Sequence, residues 1–420
     1  MRILLYGINY APELTGVGKY SGEMAEWLAT QDHDVRVITA PPYYPAWKVS
    51  SEYNGWKHTH EFVNGVEVFR CPLWVKERPS SIERLLHLFS FAISSFLLVL
   101  KQITWKPDVV LVIEPALFCV PAALLAANLS GAYTWLHIQD LEVDAAFEMQ
   151  ALPKADFIKR FAFSIERWLM QRFDRVSSIS PQMITRCLQK GVCKDQLVFF
   201  PNWVDCNSVY PISEPNEFRA GLGIREQETV VLYSGNMGGK QGLDMLLDVA
   251  DALPSIHFVL CGDGTARQRL QDEAQDMRLR NVHFLPLQPL EQLNVLLNMA
   301  DIHALVQRDA TADLVMPSKL TGMLASGRPI IATARPGTAI ADVFQSANCG
   351  YLVTPEDPQA FVAALEEMTA SPEAAKQYGR NGRQYVYTHL DRNQVLRSLN
   401  QELKKLVLGD QPVPAAIRNS

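Results

Sequence analysis

The chain has 420 residues, 48% of them hydrophobic and 20% charged, and a net charge of -6. That length predicts at least two domains with ample core, and the profile is that of an ordinary α/β protein, not a disordered or fibrous one. The acidic balance argues against nucleic acid as a partner, and seven scattered cysteines with no Cys-x-x-Cys pair argue against a disulfide frame or a zinc site.

The opening run Met1-Arg2-Ile3-Leu4-Leu5-Tyr6-Gly7 is too short for a signal peptide and reads as a first strand, so a cytoplasmic protein with reduced thiols is expected. It leads through Asn9-Tyr10-Ala11-Pro12 to Gly16-Val17-Gly18, ahead of a helical pattern over 20–30. Glycines let the backbone approach a ligand and a helix amino end favours an anion, which makes Gly16 and Gly18 candidate donor contacts. A bare tight turn is the alternative. A dinucleotide fingerprint is broken, because position 21 is serine and the strand at 35–39 runs into Ala40-Pro41-Pro42 without a ribose-binding carboxylate. Asp32-His33-Asp34 lies in the turn before that strand and reads as solvated, so no metal site is expected.

Further strands are expected over 66–70, 109–113, 133–137 and 176–179, alternating with helices, which predicts a parallel sheet. The apolar run 85–100 has 16 residues, short of the roughly 20 that span a bilayer, and carries His87, Ser90 and Ser94 on one stripe. A buried or surface-lying helix is expected there. In the helix expected over 156–173, Phe157, Ile158, Phe161, Ile165, Trp168 and Leu169 share one face, with Lys159, Arg160 and Arg167 opposite. This fits either an anionic membrane surface or packing on the sheet. Arg78, Arg84 and Lys101 beside the apolar run favour peripheral membrane contact.

His137 closes the strand at 133–137, where ligands approach open α/β sheets, and is a candidate catalytic residue; a satisfied core histidine is the alternative. Asp140 follows as a second candidate, set against a solvated loop carboxylate. After a Pro-rich connection at 201–217, strands restart at 229–234, 257–261, 282–285, 302–306, 330–333 and 350–353. The expected architecture is two Rossmann-like, doubly wound domains, residues 1–205 and 206–385, with a C-terminal helix and tail at 386–420 packing back on the first.

Two segments of the second half point to a diphosphate. Pro317 and Ser318 suit a helix start, with Ser318 as its cap, and Lys319 in the first turn conflicts with the positive helix end unless an anion sits between them. Upstream, Gly235-Asn236-Met237-Gly238-Gly239-Lys240-Gln241-Gly242 follows a strand; Gln241 stands where a Walker loop needs Ser or Thr. Gly235, Asn236 and Lys240 are candidate donor contacts, with a solvated surface lysine as the other reading of Lys240.

The order Gly16-Val17-Gly18, His137, Pro201-Asn202-Trp203-Val204-Asp205, Gly235 to Gly242, Cys261-Gly262-Asp263-Gly264 and Ala325-Ser326-Gly327-Arg328-Pro329 resembles the family-4 GT-B retaining glycosyltransferases over nearly the whole chain. Pro317-Ser318-Lys319 and Gln241-Gly242-Leu243-Asp244 look like bacterial exopolysaccharide enzymes of the colanic acid kind. The resemblance implies two domains facing across a cleft, with a nucleotide-sugar donor, GDP-fucose by the same likeness, and a lipid-linked oligosaccharide acceptor at the cytoplasmic face of the inner membrane. It adds Gly262 to the donor contacts and places His137 against the donor sugar. No cofactor is implied beyond the substrate. The reaction would be front-side and metal-independent, the departing phosphate taking the acceptor proton. One departure stands out: the family commonly carries two glutamates eight residues apart, and the matching positions are Leu314 and Gly322. Asp313 is the neighbouring carboxylate. The loss leaves open a catalytically silent nucleotide-sugar-binding module, or a GT-B epimerase.

Overall fold

The computed structural model describes residues 1–14, 16–115, 117–141, 143, 156–309 and 317–409. The chain divides into two compact units, residues 1–201 with the chain from 396 onward, and residues 202–395.

In the first unit the strands are β1 (Arg2–Tyr6), β2 (Asp34–Thr39), β3 (Thr59–Val63), β4 (Val66–Arg70), β5 (Val109–Glu114), β6 (Tyr133–Ile138), β7 (Arg175–Ser178) and β8 (Leu197–Phe199). They run in the order β3-β4-β2-β1-β5-β6-β7-β8, and only β3 is antiparallel to its neighbour. Between them lie α1 (Gly16–Ala29), α2 (Ser81–Lys101), α3 (Val120–Ser130), α4 (Asp156–Met170) and α5 (Pro181–Gln189). Ile3 through Tyr6 and Val109 through Val112 are each 1% exposed or less. Central strands covered on both faces are apolar at every position, and this is why they stand out in the sequence.

Two edge strands fall outside the expected set. The residues of β3 are mostly exposed and show no apolar alternation, and β8 has three residues. What forms β3 is the turn: Asn64 and Gly65 both take positive φ, 51° and 82°, the conformation of a two-residue hairpin. Helix α1 starts at Gly16, earlier than the expected position 20, and α4 ends at Met170.

The second unit holds β9 (Val230–Ser234), β10 (His257–Cys261), β11 (Val282–Leu285), β12 (Ile302–Leu305), β13 (Ile330–Thr333) and β14 (Gly350–Val353). Its helices are α6 (Glu217–Gly221), α7 (Asp244–Ala252), α8 (Arg267–Asp276), α9 (Leu293–Asn298), α10 (Ser318–Ala325), α11 (Ala339–Ala347), α12 (Pro358–Ala370) and α13 (Pro372–His389), while most of α14 (Arg392–Leu408) belongs to the first unit. The strand order β11-β10-β9-β12-β13-β14 is parallel throughout and reverses between β9 and β12. Such a reversal is where ligands bind in doubly wound sheets. Strand pleating sorts the core in two: Val230, Leu232, Val259 and Ile330 pack on one face, and Val231, Tyr233, Phe258 and Ile331 on the other.

Backbone contact fixes the loops at the carboxyl ends of β9 and β10. Gly235 donates to the Cys261 carbonyl (2.9 Å), Met237 to that of Asp263 (2.7 Å), and Ala266 back to that of Met237 (2.8 Å). A Cβ on Gly262, at φ +145°, would sit 1.9 Å from the Gly235 carbonyl oxygen, and one on Gly264 would sit 2.5 Å from that of Met237. Only glycine admits so close an approach. Gly262→Ala should therefore cost about 3 kcal/mol or more of unfolding free energy. Gly239→Ala, with nothing within 4 Å of the added carbon, should be near neutral by comparison. Urea denaturation of both variants checks the contrast, and equal midpoints would refute it.

Candidate donor site

At the end of β9 the Tyr233 ring is buried, and its hydroxyl donates to the Asn236 carbonyl (2.6 Å). The ring is a seat for Lys319, whose Nζ stands 4.2 Å from the ring centroid. The lysine stem runs past Gly235, where a Cβ would come within 3.4 Å of Lys319 Cδ. Glycine at 235 thus leaves room for the lysine, and its φ of +139° suits no side-chain-bearing residue well. Burial penalises the ammonium and pulls Lys319 down to about 7.

Lys319 is carried in the first turn of α10. Ser318 is not the cap that the sequence suggested. The cap position is Pro317, which provides no side-chain acceptor, and Ser318 is already the first helical residue. No acidic residue occupies that first turn. Among the described residues no carboxylate pairs with Lys319. The ammonium and the uncapped helix amides disfavour each other, and an anion satisfies both at once. Asp313 and Leu314 lie outside the described residues.

The Gly-rich turn is built separately. Gly239–Gln241 form a short 3-10 turn, which Gly242 ends at φ 62°. Gly238 donates to Gln241 Oε1 (3.1 Å). Arg308, which the sequence did not single out, braces it. Its amide donates to the Lys240 carbonyl (2.9 Å) and its Nε to that of Gly239 (2.8 Å). Its guanidinium meets Asp244 at 2.5 Å and Glu356 at 3.0 Å. The Lys240 side chain is exposed on this braced turn. The structure therefore brings together Gly235, Asn236, Gly262 and Lys319 with Tyr233, and joins Lys240 to them through the backbone of one loop.

In the first unit the glycines have an internal reason. A Cβ on Gly18 would fall 2.4 Å from Glu13 Oε2. Glu13 is buried and accepts from Asn9 Nδ2 (3.0 Å) and from the Tyr43 and Tyr44 amides (3.2 and 3.0 Å). Burial raises its pKa against these bonds. Buried Arg70 donates to the Ala11 and Ala40 carbonyls, so the loops after β1 and β2 are held as one piece. Gly16 takes φ +64° beside Tyr44.

His137 is 2% exposed. Its Nδ1 meets Ser177 Oγ at 2.9 Å, its Nε2 meets Gln139 Nε2 at 3.0 Å, and its ring packs edge-on to Phe200. Burial pushes it down to about 3, so the ring stays neutral at any physiological pH. Asp140, two residues after Ile138, is exposed.

Residues 215–385 match the family described as Glycosyl transferases group 1, and residues 15–203 match the Glycosyl transferase 4-like domain. WcaI of Escherichia coli strain K12, a glycosyl transferase assigned to colanic acid biosynthesis, is 41% identical over 96% of this chain and 100% of its own. The chain belongs to the family-4 GT-B glycosyltransferases. Solved structures agree on the fold. The sucrose-phosphate synthase of Thermosynechococcus elongatus superposes with a TM-score of 0.75 at 19% identity, covering 97% of this chain and 99% of that one. HepE of Anabaena, solved with UDP, gives 0.71 at 15% identity, covering 96% and 100%.

In this glycosyltransferase the position of the second expected glutamate is filled by Gly322, inside α10, where a Cβ would meet Leu297 Cδ1 at 3.4 Å. Lys319 is thus the one charged side chain of that helix. Its titration has a definite sign. Below about 7 the folded protein holds the proton, and the burial cost is present in full. Between 7 and the ordinary 10.5 the folded state has released a proton that the unfolded state keeps, so that cost fades as pH rises. An anion placed beside Lys319 restores the charge. The dissociation constant of a nucleoside diphosphate should therefore rise toward tenfold per pH unit above about 7, with proton uptake on binding. Lys319→Arg should flatten the dependence. Calorimetric titration in two buffers of different ionisation heat reads both quantities, and a flat wild-type profile would refute the assignment.

Proposed function

We propose that this glycosyltransferase moves a sugar from a nucleotide-sugar to a lipid-linked oligosaccharide in exopolysaccharide biosynthesis of the colanic acid kind. It would act at the cytoplasmic face of the inner membrane, with GDP-fucose as the donor to test first. The observation that carries the reading is Lys319 on the Tyr233 ring, beside Gly235 and the uncapped start of α10, with no carboxylate paired to it among the described residues. That arrangement suits the leaving diphosphate of an activated sugar. As the bond from the anomeric carbon to the phosphate oxygen breaks, negative charge grows on the diphosphate, and a preplaced ammonium with helix amides stabilises it. Lys240 on its braced turn adds a second cation, so the charge is met by side chains. Asn236 and Gly262 shape the surface on which the donor rests.

The acceptor hydroxyl then bonds to the anomeric carbon on the face the phosphate leaves, and its proton passes to the departing phosphate oxygen. Configuration is retained, and no protein nucleophile is used. His137, neutral and held from both sides, serves as a positioning residue for the sugar, and Asp140 is assigned to a sugar hydroxyl. The likeness to WcaI supports the polysaccharide.

Thermal shift and hydrolysis with a panel of UDP-, GDP- and ADP-sugars test the donor. Lys319→Ala should weaken donor binding by roughly ten- to a hundredfold, the loss of one or two charge-assisted contacts. Transfer rate should fall at least as far. Unchanged affinity and rate would overturn the site.

A further inference from the structure

Helix α2 is amphipathic in the reverse sense. Its polar stripe points into the protein. His87 donates from Nδ1 to the Trp74 carbonyl (2.7 Å), Ser90 Oγ accepts from the Trp74 amide (2.9 Å), and Ser94 Oγ donates to the Pro72 carbonyl (2.5 Å). Ser95 meets the Tyr6 hydroxyl at 2.6 Å, deep under Phe91. The opposite stripe is apolar and faces outward. Ile82, Ile93 and Leu97 are 65%, 61% and 69% exposed, with Leu86, Phe89 and Phe96 between them. These residues recur at helical spacing, and none is acidic or basic. The helix of 21 residues runs about 30 Å. An ordinary surface helix presents the opposite arrangement, and a contiguous apolar patch of this size marks an interaction surface.

The patch continues beyond α2. Phe89 meets Phe118 edge-on at 5.9 Å, just before α3. An open groove of about 540 Å³ joins Leu124 and Leu125 of α3 to Trp168 of α4. On α4, Phe157, Phe161 and Trp168 of the apolar stripe are all more than half exposed, while Leu169 is buried. Cations lie at its margins: Arg78 and Arg84 at the start of α2, Lys101 and Lys106 at its end, and Arg172 stacked on Trp168. Of the nearby carboxylates, Glu83 pairs with Lys76 and Glu166 with Lys190, and Asp174 in the groove accepts hydrogen bonds from Thr134.

We infer that the outward stripe of α2, extended by α3 and α4, docks this protein on a bilayer leaflet of anionic phospholipid, lying in the interface and not crossing it. The inward polar stripe fixes the choice between lying and crossing. Withdrawing α2 into a membrane would break its bonds to residues 72–74 and bury those polar groups in hydrocarbon. The cations at the margins fit headgroup phosphates, and the apolar centre fits the acyl boundary. This inference rests on the lipid-linked acceptor proposed above, and it names the surface by which that acceptor is reached.

The test is flotation with phosphatidylglycerol-containing vesicles and with pure phosphatidylcholine vesicles, each at low and high salt. The wild-type protein should float with the anionic vesicles and lose part of its binding at high salt. Ile93→Asp with Leu97→Asp should cut the bound fraction at least tenfold and leave the nucleotide-induced thermal shift unchanged. Ile93→Gln with Leu97→Gln repeats the measurement should the acidic pair fail to fold. Equal flotation of a folded pair with wild type overturns the surface. So does a wild-type dimer that the pair dissociates and that does not float. No flotation of wild type overturns peripheral docking altogether, whereas an unaffected Lys319→Ala enzyme refutes only the donor reading.

Discussion

A half-buried ammonium seated on an aromatic ring, with no carboxylate partner among the described residues, is the constraint around which the second unit is arranged. Lys319 could lie in solvent, yet it is folded over an aromatic ring at a helix end that disfavours it electrostatically. The cation–π contact recovers part of the desolvation cost, on the order of 1 kcal/mol. Much of what surrounds it follows. Gly235 is held at φ +139°, which favours glycine, and Gly262 must be glycine for the loop carrying Gly235 to pack. Tyr233 must be fixed, and its hydroxyl is tied to Asn236. The site is thus preorganised for an anion before one arrives, which is the condition under which electrostatic stabilisation of a leaving group costs no rearrangement.

The same logic, that a group is placed against its ordinary preference for a reason, applies to α2. Its serines and histidine form hydrogen bonds inside the protein that water would otherwise supply, and Ile82, Leu86, Phe89, Ile93, Phe96 and Leu97 stay outside. Each exposed aliphatic or aromatic side chain forgoes about 1.5–3 kcal/mol of burial. A sequence that keeps several of them outward on one stripe is consistent with an apolar medium on that side.

Much of the architecture was legible in the sequence. Central strands such as β1, β5, β10 and β13 are short β-branched runs, and burial on both faces leaves them no polar position to blur the signal. β3 was not legible from hydropathy, because an exposed edge strand has no apolar period; the Asn64-Gly65 turn was the available cue. Lys319 could be found because a cation in a first helical turn violates a local rule. Tyr233 could not, since it reads as one more core residue of β9 and its role appears only when α10 is brought over it. Arg308 and Glu13 were invisible for a related reason: their partners lie 30 to 69 residues away in sequence, at Tyr43 and Gly239. For α2 the polar stripe was plain, and its inward direction was not, because periodicity gives a face but no sense.

The two units handle their titratable groups in opposite ways, and this assigns the chemistry. In the first, His137 is neutral with both nitrogens occupied, and Glu13 is saturated by an amide side chain and two backbone donors. Such groups fix loops and rings in place. In the second, Lys319 is desolvated, titrates near neutrality and has no carboxylate partner among the described residues. Glycine at 322 removes one acid that relatives would place on the same helix, so the helix start is left more positive than a glutamate would make it. On the proposed reading, a donor diphosphate would meet a stronger field at its phosphates and a weaker one at its sugar. Binding energy is shifted toward the leaving group, whose charge changes most during transfer, and interactions that strengthen there raise the rate and not merely the affinity.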